Sequence, residues 1–276
     1  MTSSILSGGE FLGRTQRIGK AELVEVSISQ YDSGERLPEH GHTRPYLSFV
    51  LRGSYVERTG TRVYACQEHV LLFHSAGEVH RDEFGPRGGA CLNMELAGCW
   101  RLILEERPIN LAHPVNLGLV PILPILCEWS SADSYSSLAL EECVVGLLGL
   151  FRDGCRERNT IQSSRAIRRA VEFLEDAGHQ DFNLPALAEV AGVHPTHLSR
   201  LFRTKLHRTI TEYLRELRLV KAEQLLLQPD RSISRIAADL GFADHAHFSR
   251  AFKQRYGLTP TTFKVQAKRS LSRALT

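Results

Sequence analysis

One short pattern occurs twice between Asn183 and Phe263, and it constrains the fold more than any other feature of the chain. The first copy runs Leu187-Ala188, Gly192-Val193, Leu198-Ser199-Arg200-Leu201-Phe202-Arg203. The second runs Ile236-Ala237, Gly241-Phe242, Phe248-Ser249-Arg250-Ala251-Phe252-Lys253. The Leu/Ala and Gly landmarks recur 49 residues apart and the Ser-Arg-x-Phe landmarks 50 apart, so the second copy has one extra residue in its turn. In each copy a short helix ends at a glycine, where a positive φ costs little, and a second helix starts a few residues later, the arrangement of a helix-turn-helix unit.

Helical spacing sorts the second helix of each copy into two faces. Leu198, Leu201 and Phe202 form the buried face of the first, and Phe248, Ala251 and Phe252 that of the second. The opposite faces carry Pro195, Thr196, Ser199, Arg200 and Arg203, and likewise His245, Ala246, Ser249, Arg250 and Lys253. Arginine can grip guanine O6 and N7 with two hydrogen bonds, while Ser, Thr and Lys suit phosphates or less selective base edges. Arg200 and Arg250 are therefore the expected base readers. A single charged helix face is ordinarily just solvated; its recurrence within a basic segment favours the groove-binding reading.

Charge supports that division. Residues 158–276 hold 20 Lys and Arg against 11 Asp and Glu, net +9, whereas residues 1–157 hold 14 against 20, net −6. The half with the repeat is the half suited to a polyanion. Around the repeat, helices are expected over Ala166–Ala177 with Gly178 as its stop, over Leu184–Ala191 with Asn183 as N-cap, and over Thr211–Gln228, Ser232–Leu240 and Asp244–Tyr256, with Thr259-Pro260 opening a last one. The six cysteines are scattered, without a C-x-x-C pair, which argues against a zinc finger or a disulfide framework. The start of the chain has no secretory pattern and no segment is long and apolar enough for a bilayer, so a cytoplasmic protein without membrane association is expected.

The repeat half resembles the AraC/XylS family of bacterial transcription regulators. The resemblance rests on Leu187-Ala188, Gly192, Leu198-Ser199-Arg200-Leu201-Phe202, the linking run from Tyr213-Leu214 to Leu225-Leu226, and the segment Ile236-Ala237-x3-Gly241-Phe242-x5-Phe248-Ser249-Arg250-x-Phe252-Lys253-x2-Tyr256-Gly257-x-Thr259-Pro260-x2-Phe263. It implies two helix-turn-helix units joined by a long helix, each placing one helix in successive major-groove segments of double-stranded DNA. It also implies a regulator that is more often an activator, works with RNA polymerase and is commonly a homodimer. One departure stands out: where the family has a glycine after the first recognition helix, this chain has His207, which can adopt a left-handed conformation less readily than glycine, so an altered corner with the unit retained is expected.

The N-terminal half reads as strands. Leu23–Ile28 alternates, and Tyr46–Leu51, Val70–Phe73 and Cys91–Leu96 follow, separated by Gly-rich turns, the pattern of a barrel or sandwich. Beyond Trp100, prolines 108, 114, 121 and 124 interrupt the chain. Tyr135–Arg152 then reads as a helix with an apolar stripe at Leu140, Val144, Leu147, Leu148 and Phe151, which either packs on the strands or, through Gly146 and Gly149, pairs with a second copy. The polar run Arg152–Ser164 is read as a linker.

Gly34-x5-His40-x-His42 with Gly53, and Gly77-x2-His80, resemble the two cupin signatures, with Pro45, Tyr46 and Leu47 where a glutamate is expected and Ser75 where a proline is. The expected site is an effector pocket without metal or cofactor, with His40, His42, Tyr46, Phe49, Arg52 and His80 as candidates. The expectation for the whole chain is an α+β protein of two domains. Residues 1–157 form a cupin-like β-barrel with helices for effector sensing and dimerisation, and residues 158–276 an all-α double helix-turn-helix domain. The function is sequence-specific, effector-responsive transcription regulation without enzymatic activity. The alternatives are a cupin-type metalloenzyme fused to a DNA-binding module and a ligand-independent DNA-binding regulator.

Overall fold

The computed structural model describes residues 4–97, 113–130, 137–176 and 183–275. The chain divides into two units, Met1–Cys155 with Arg269–Thr276, and Arg156–Lys268.

The first unit is built on strands β1 (Ser4–Leu6), β2 (Arg14–Lys20), β3 (Val24–Tyr31), β4 (His40–His42), β5 (Tyr46–Thr59), β6 (Arg62–Gln67), β7 (Val70–His74), β8 (Arg81–Leu96) and β9 (Val115–Asn116). β1 and β4 make a small parallel pair; the others form one sheet in the order β2-β3-β8-β5-β7-β9, with β6 also on β5. Among the described residues the ladder is an open path, so hydrogen bonding does not close it into the expected barrel. Its two ends explain why: β9 is only two residues long, and β2 is an edge strand with Arg14 and Lys20 exposed, a charge pattern that discourages further pairing.

Strand β3 departs from the half-buried strand that alternation at Leu23–Ile28 suggests. Apart from Gln30 its residues are buried on both faces, including Glu25, whose carboxylate lies 3.8 Å from the Lys20 ammonium. The long antiparallel pair β5–β8 has register shifts between Val50 and Arg52 and between Gly53 and Tyr55. Such bulges bend a strand and re-aim its side chains. Gly53 is required at this bend: its φ is +80°, and a Cβ there would stand 2.1 Å from the Gly88 carbonyl oxygen.

A 3-10 turn (Val120–Ile122) leads into α1 (Leu123–Ser130), and α2 spans Ser137–Ser163. The expected stripe of α2 is buried throughout, from Leu140 to Phe151. Its other side is open: Leu138, Val145 and Leu150 are exposed, and a Cβ on Gly146 or Gly149 would meet nothing. The run Arg152–Ser164, read as a linker, is helical to Ser163. It contains no proline, Arg and Glu are strong helix formers, and Phe151 and Cys155, one turn apart, are both wholly buried. None of the five described cysteines is in a disulfide. The break expected at Trp100 and Pro108, the helix start at Tyr135 and the stop at Gly178 lie outside the described residues.

The second unit is helical: α3 (Arg165–Asp176), α4 (Leu184–Ala191), α5 (Pro195–Lys205), α6 (Ile210–Leu226), α7 (Ile233–Asp239), α8 (His245–Tyr256) and α9 (Pro260–Ala274) as far as Lys268. One apolar cluster joins Ile167, Val171 and Leu174 of α3 to Leu187 and Ala188 of α4, Leu198 and Phe202 of α5, and Tyr213 and Leu214 of α6. A chain of rings organises the other end, with Phe242–Phe248 centroids 5.2 Å apart, Phe248–Phe252 5.7 Å and Phe252–Phe263 5.6 Å. Phe202, Phe248, Phe252 and Phe263 are wholly buried, each contributing about 1.5–3 kcal/mol of burial free energy.

Candidate nucleic-acid interface and histidine pocket

In the first repeat, Asn183 caps α4 by accepting from the Ala186 N–H at 2.8 Å, and Gly192 ends it at φ 72°. His194 caps α5 through its side chain, which accepts from the Thr196 N–H at 3.4 Å, and Pro195 occupies the first turn. With Leu198 and Phe202 locked inward, Thr196, Arg200 and Arg203 are exposed and Pro195 and Ser199 half-buried on the outer face. Leu201 is only half-buried, packed against the rim of the cluster. The Arg200 guanidinium lies 3.2 Å from His197 Nδ1. At the far end of the helix, His207 adopts φ 54°, the left-handed conformation in which a histidine does the work of glycine.

The second repeat reproduces the arrangement with a stronger cap. Gly241 turns at φ 69°, Asp244 accepts from the His247 N–H at 2.6 Å, and α8 ends at Gly257 with φ 77°. The Asp244 carboxyl is held below its ordinary value chiefly by that backbone bond. His245, Ala246, Arg250 and Lys253 are exposed and Ser249 half-buried. All ten proposed contact residues are thus on the solvent side of their helices. Arg203 and Lys253 also sit in last turns, where a cation offsets the helix dipole whatever else it does.

In the first unit the structure brings His40, His42, Tyr46 and His80 together beside Glu57, His74 and Asp82. Ring centroids lie 5.4 Å apart for His40–His42, 4.4 Å for His40–His80 and 4.8 Å for His74–His80. The backbones of His40 and His80 exchange hydrogen bonds of 2.9 and 2.8 Å, and Tyr46 Oη is 3.2 Å from His80 Nε2. Phe11 covers the group, its ring 4.8 Å from His42 and 5.2 Å from Tyr46. The space beside these rings is about 20 Å³.

Burial sets the charge state of this pocket. It lowers His42 to about 4 and His80 to about 3, with the neighbouring imidazoles adding repulsion, and it drives His74 well below the ordinary histidine range. The same burial raises Asp82 to about 7 and pushes Glu57 well up, with repulsion from Asp82 second. Two further candidates lie elsewhere. Phe49 is wholly buried on the face of β5 opposite Tyr46 and Ser48, with its ring 6.2 Å from His69, and Arg52, past the first bulge, is exposed.

A family model described as a helix-turn-helix domain matches residues 187–266. Regulatory protein SoxS of Salmonella typhimurium is 34% identical over 98 residues, covering 36% of this chain and 92% of that protein. The chain belongs to the AraC/XylS family. A longer likeness joins this AraC/XylS member to the uncharacterized HTH-type transcriptional regulator YpdC of Escherichia coli K12, 31% identical over 80% of this chain and 82% of that one. Among solved structures, an AraC-type DNA-binding domain protein from Chromobacterium violaceum is 31% identical over 38% of this chain and 95% of its own, with a TM-score of 0.37. The likeness to relatives makes this AraC/XylS chain a transcription regulator with an AraC-type DNA-binding domain. Among the described residues no helix is long and apolar enough to cross a membrane.

Reading the AraC/XylS sequence by motif and alternation misses Glu57, His74 and Asp82. On β5 the inward residues are Tyr46 and Ser48 before the bulge but Tyr55 and Glu57 after it; Gly53 marks the bend in the sequence, but not that the strand runs on through it with its parity changed. His74 had a usable signal. It shares the parity of Leu72 at the end of a recognised strand, and its pairing opposite Tyr46 places the two rings 4.2 Å apart and nearly parallel.

Proposed function

We propose that this protein controls transcription by presenting α5 and α8 to two successive major-groove segments of one asymmetric DNA site. The observation that carries this is the duplicated outer face: Thr196, Arg200 and Arg203 on one helix, His245, Ala246, Arg250 and Lys253 on the other, all exposed above a buried aromatic core. Pro195, Ser199 and Ser249 complete the two faces. Arg200 and Arg250 read bases, each from a different helix, and Arg203 and Lys253 hold phosphates. Two such helices engage groove segments about one turn, ~34 Å, apart.

The first unit is read as cupin-like, with a small effector held at His40, His42, Tyr46 and His80 in a state whose pocket is wider than the about 20 Å³ seen here. Binding there shifts the population of DNA-competent states, which requires different contacts in the two states. The uncovered face of α2, with Leu138, Val145 and Leu150 flanking Gly146 and Gly149, suits a second copy of the chain, giving a homodimer that reads paired sites. The protein acts in the cytoplasm, recruits RNA polymerase as an activator, and has no enzymatic activity of its own. Genome-wide mapping of bound DNA tests the reading: discrete sites upstream of genes whose expression falls on deletion support it, and uniform binding along the genome contradicts it.

A further inference from the structure

Three side chains deep in the first unit, from β5, from the end of β7 and from the turn before β8, point at one another without satisfying one another. Glu57, His74 and His80 are each about 2% exposed, and one ligand-capable atom from each lies within 4.8 Å of the others. Among the described residues Glu57 Oε2 and His74 Nε2 have no hydrogen-bond partner, although they are 3.6 Å apart, too far for a hydrogen bond with each other. Buried polar atoms left in this way are costly, and a carboxylate far more so than an imidazole. Among the described residues no Lys or Arg lines the pocket, and a second carboxylate, Asp82, lies 3.8 Å from His80 Nε2 with its Oδ1 also unpartnered.

We propose that Glu57, His74 and His80 bind one divalent transition-metal ion. A zinc-like ion at about 2.0–2.1 Å from each of two ligands in tetrahedral geometry sets those ligands about 3.4 Å apart, close to the separation of Glu57 and His74. The cavity of about 20 Å³ suits an ion with a bound water and is far smaller than a pocket for an organic molecule. The ligands are already held. His74 lies flat on the Tyr46 ring, and His80 is pinned by its backbone bonds to His40, with its Nδ1 3.4 Å from the Glu78 carbonyl oxygen and its Nε2 3.2 Å from Tyr46 Oη, a contact that the ion would replace. A carboxylate and two imidazoles suit zinc, iron or manganese; calcium and magnesium prefer all-oxygen sites.

His40, His42 and His80 form a neighbouring set within the same 4.8 Å limit. The carboxylate set is preferred because, among the described residues, no Lys or Arg pairs with the buried Glu57, whose charge the ion would balance. The sequence leads instead to a metal-free pocket, since the cupin-type glutamate is missing and Glu57 lies outside that signature. Metal binding at this site is measured without DNA.

The test uses untagged full-length protein, stripped with a chelator, dialysed against Zn²⁺ and analysed for metal content and for competition with a chromophoric chelator. Wild type is expected to hold one Zn²⁺ per chain. Glu57→Gln and His74→Gln are expected to lose about 100-fold or more in affinity, while His42→Gln stays within about threefold. X-ray absorption at the zinc edge of the wild type needs no variant to fold, and is expected to show nitrogen and oxygen neighbours with two imidazoles. Absence of bound zinc overturns the proposal. So does a shell of three imidazoles, or binding that survives Glu57→Gln and His74→Gln but fails in His42→Gln.

Discussion

His207 holds φ 54° with its side chain exposed, so the histidine ring makes little that a glycine would forfeit. A left-handed conformation costs a non-glycine residue about 1–2 kcal/mol, partly offset by the greater flexibility glycine gives the unfolded chain. His207→Gly is therefore expected to stabilise the protein by about 0.5–1 kcal/mol in urea unfolding. Gly53 is the opposite case: the Cβ of Gly53→Ala would collide with the Gly88 carbonyl, and a loss of about 3 kcal/mol or more is expected. On the outer faces the two kinds of contact separate by measurement. Arg250→Ala should cost about 1–3 kcal/mol of operator binding and relax preference at one base, whereas Lys253→Ala should weaken all sequences alike and flatten the salt dependence by about one unit of slope. Equal effects of both substitutions on every sequence would remove Arg250 from the role of base reader.

Among the elements, α6 is fastened most explicitly. Thr209 accepts from the Glu212 N–H at 3.2 Å, and the Glu212 carboxylate accepts in return from the Thr209 N–H at 2.7 Å. The returned bond holds the Glu212 carboxyl below its ordinary value. A depressed carboxyl contributes stability that is complete above its unfolded value and lost as pH falls through its folded one. The melting temperature of wild type should therefore drop toward that of Glu212→Gln as pH is taken below about 4, the two differing most near neutrality. Helices of this kind were legible in the sequence, because caps, glycine stops and an apolar stripe are local signals. The α2 extension through Arg152–Ser164 was not, since a polar run reads as a linker unless the burial of Phe151 and Cys155 is known. The sheet was legible where strands are short. Its long strands β5 and β8 hid their inward residues behind bulges, which is why Tyr46 and His80 could be placed in the pocket and Glu57 could not.

For the whole molecule, the net +9 of residues 158–276 against −6 of residues 1–157 predicts a DNA affinity that is strongly salt-dependent and retained by the C-terminal half alone. Substituting Val145 and Leu150 together by Glu on the open face of α2 should leave the buried stripe intact and shift sedimentation toward the monomer at micromolar concentration; an unchanged profile would move the homodimer contact elsewhere. The central claim is that two unequal helices read one DNA site, and in vitro selection from random DNA with the full-length protein tests it most directly. An asymmetric site of two blocks with centres about 10 base pairs apart is expected, one block lost in Arg200→Ala and the other in Arg250→Ala. Selection of a single block, or of no sequence at all, would contradict it.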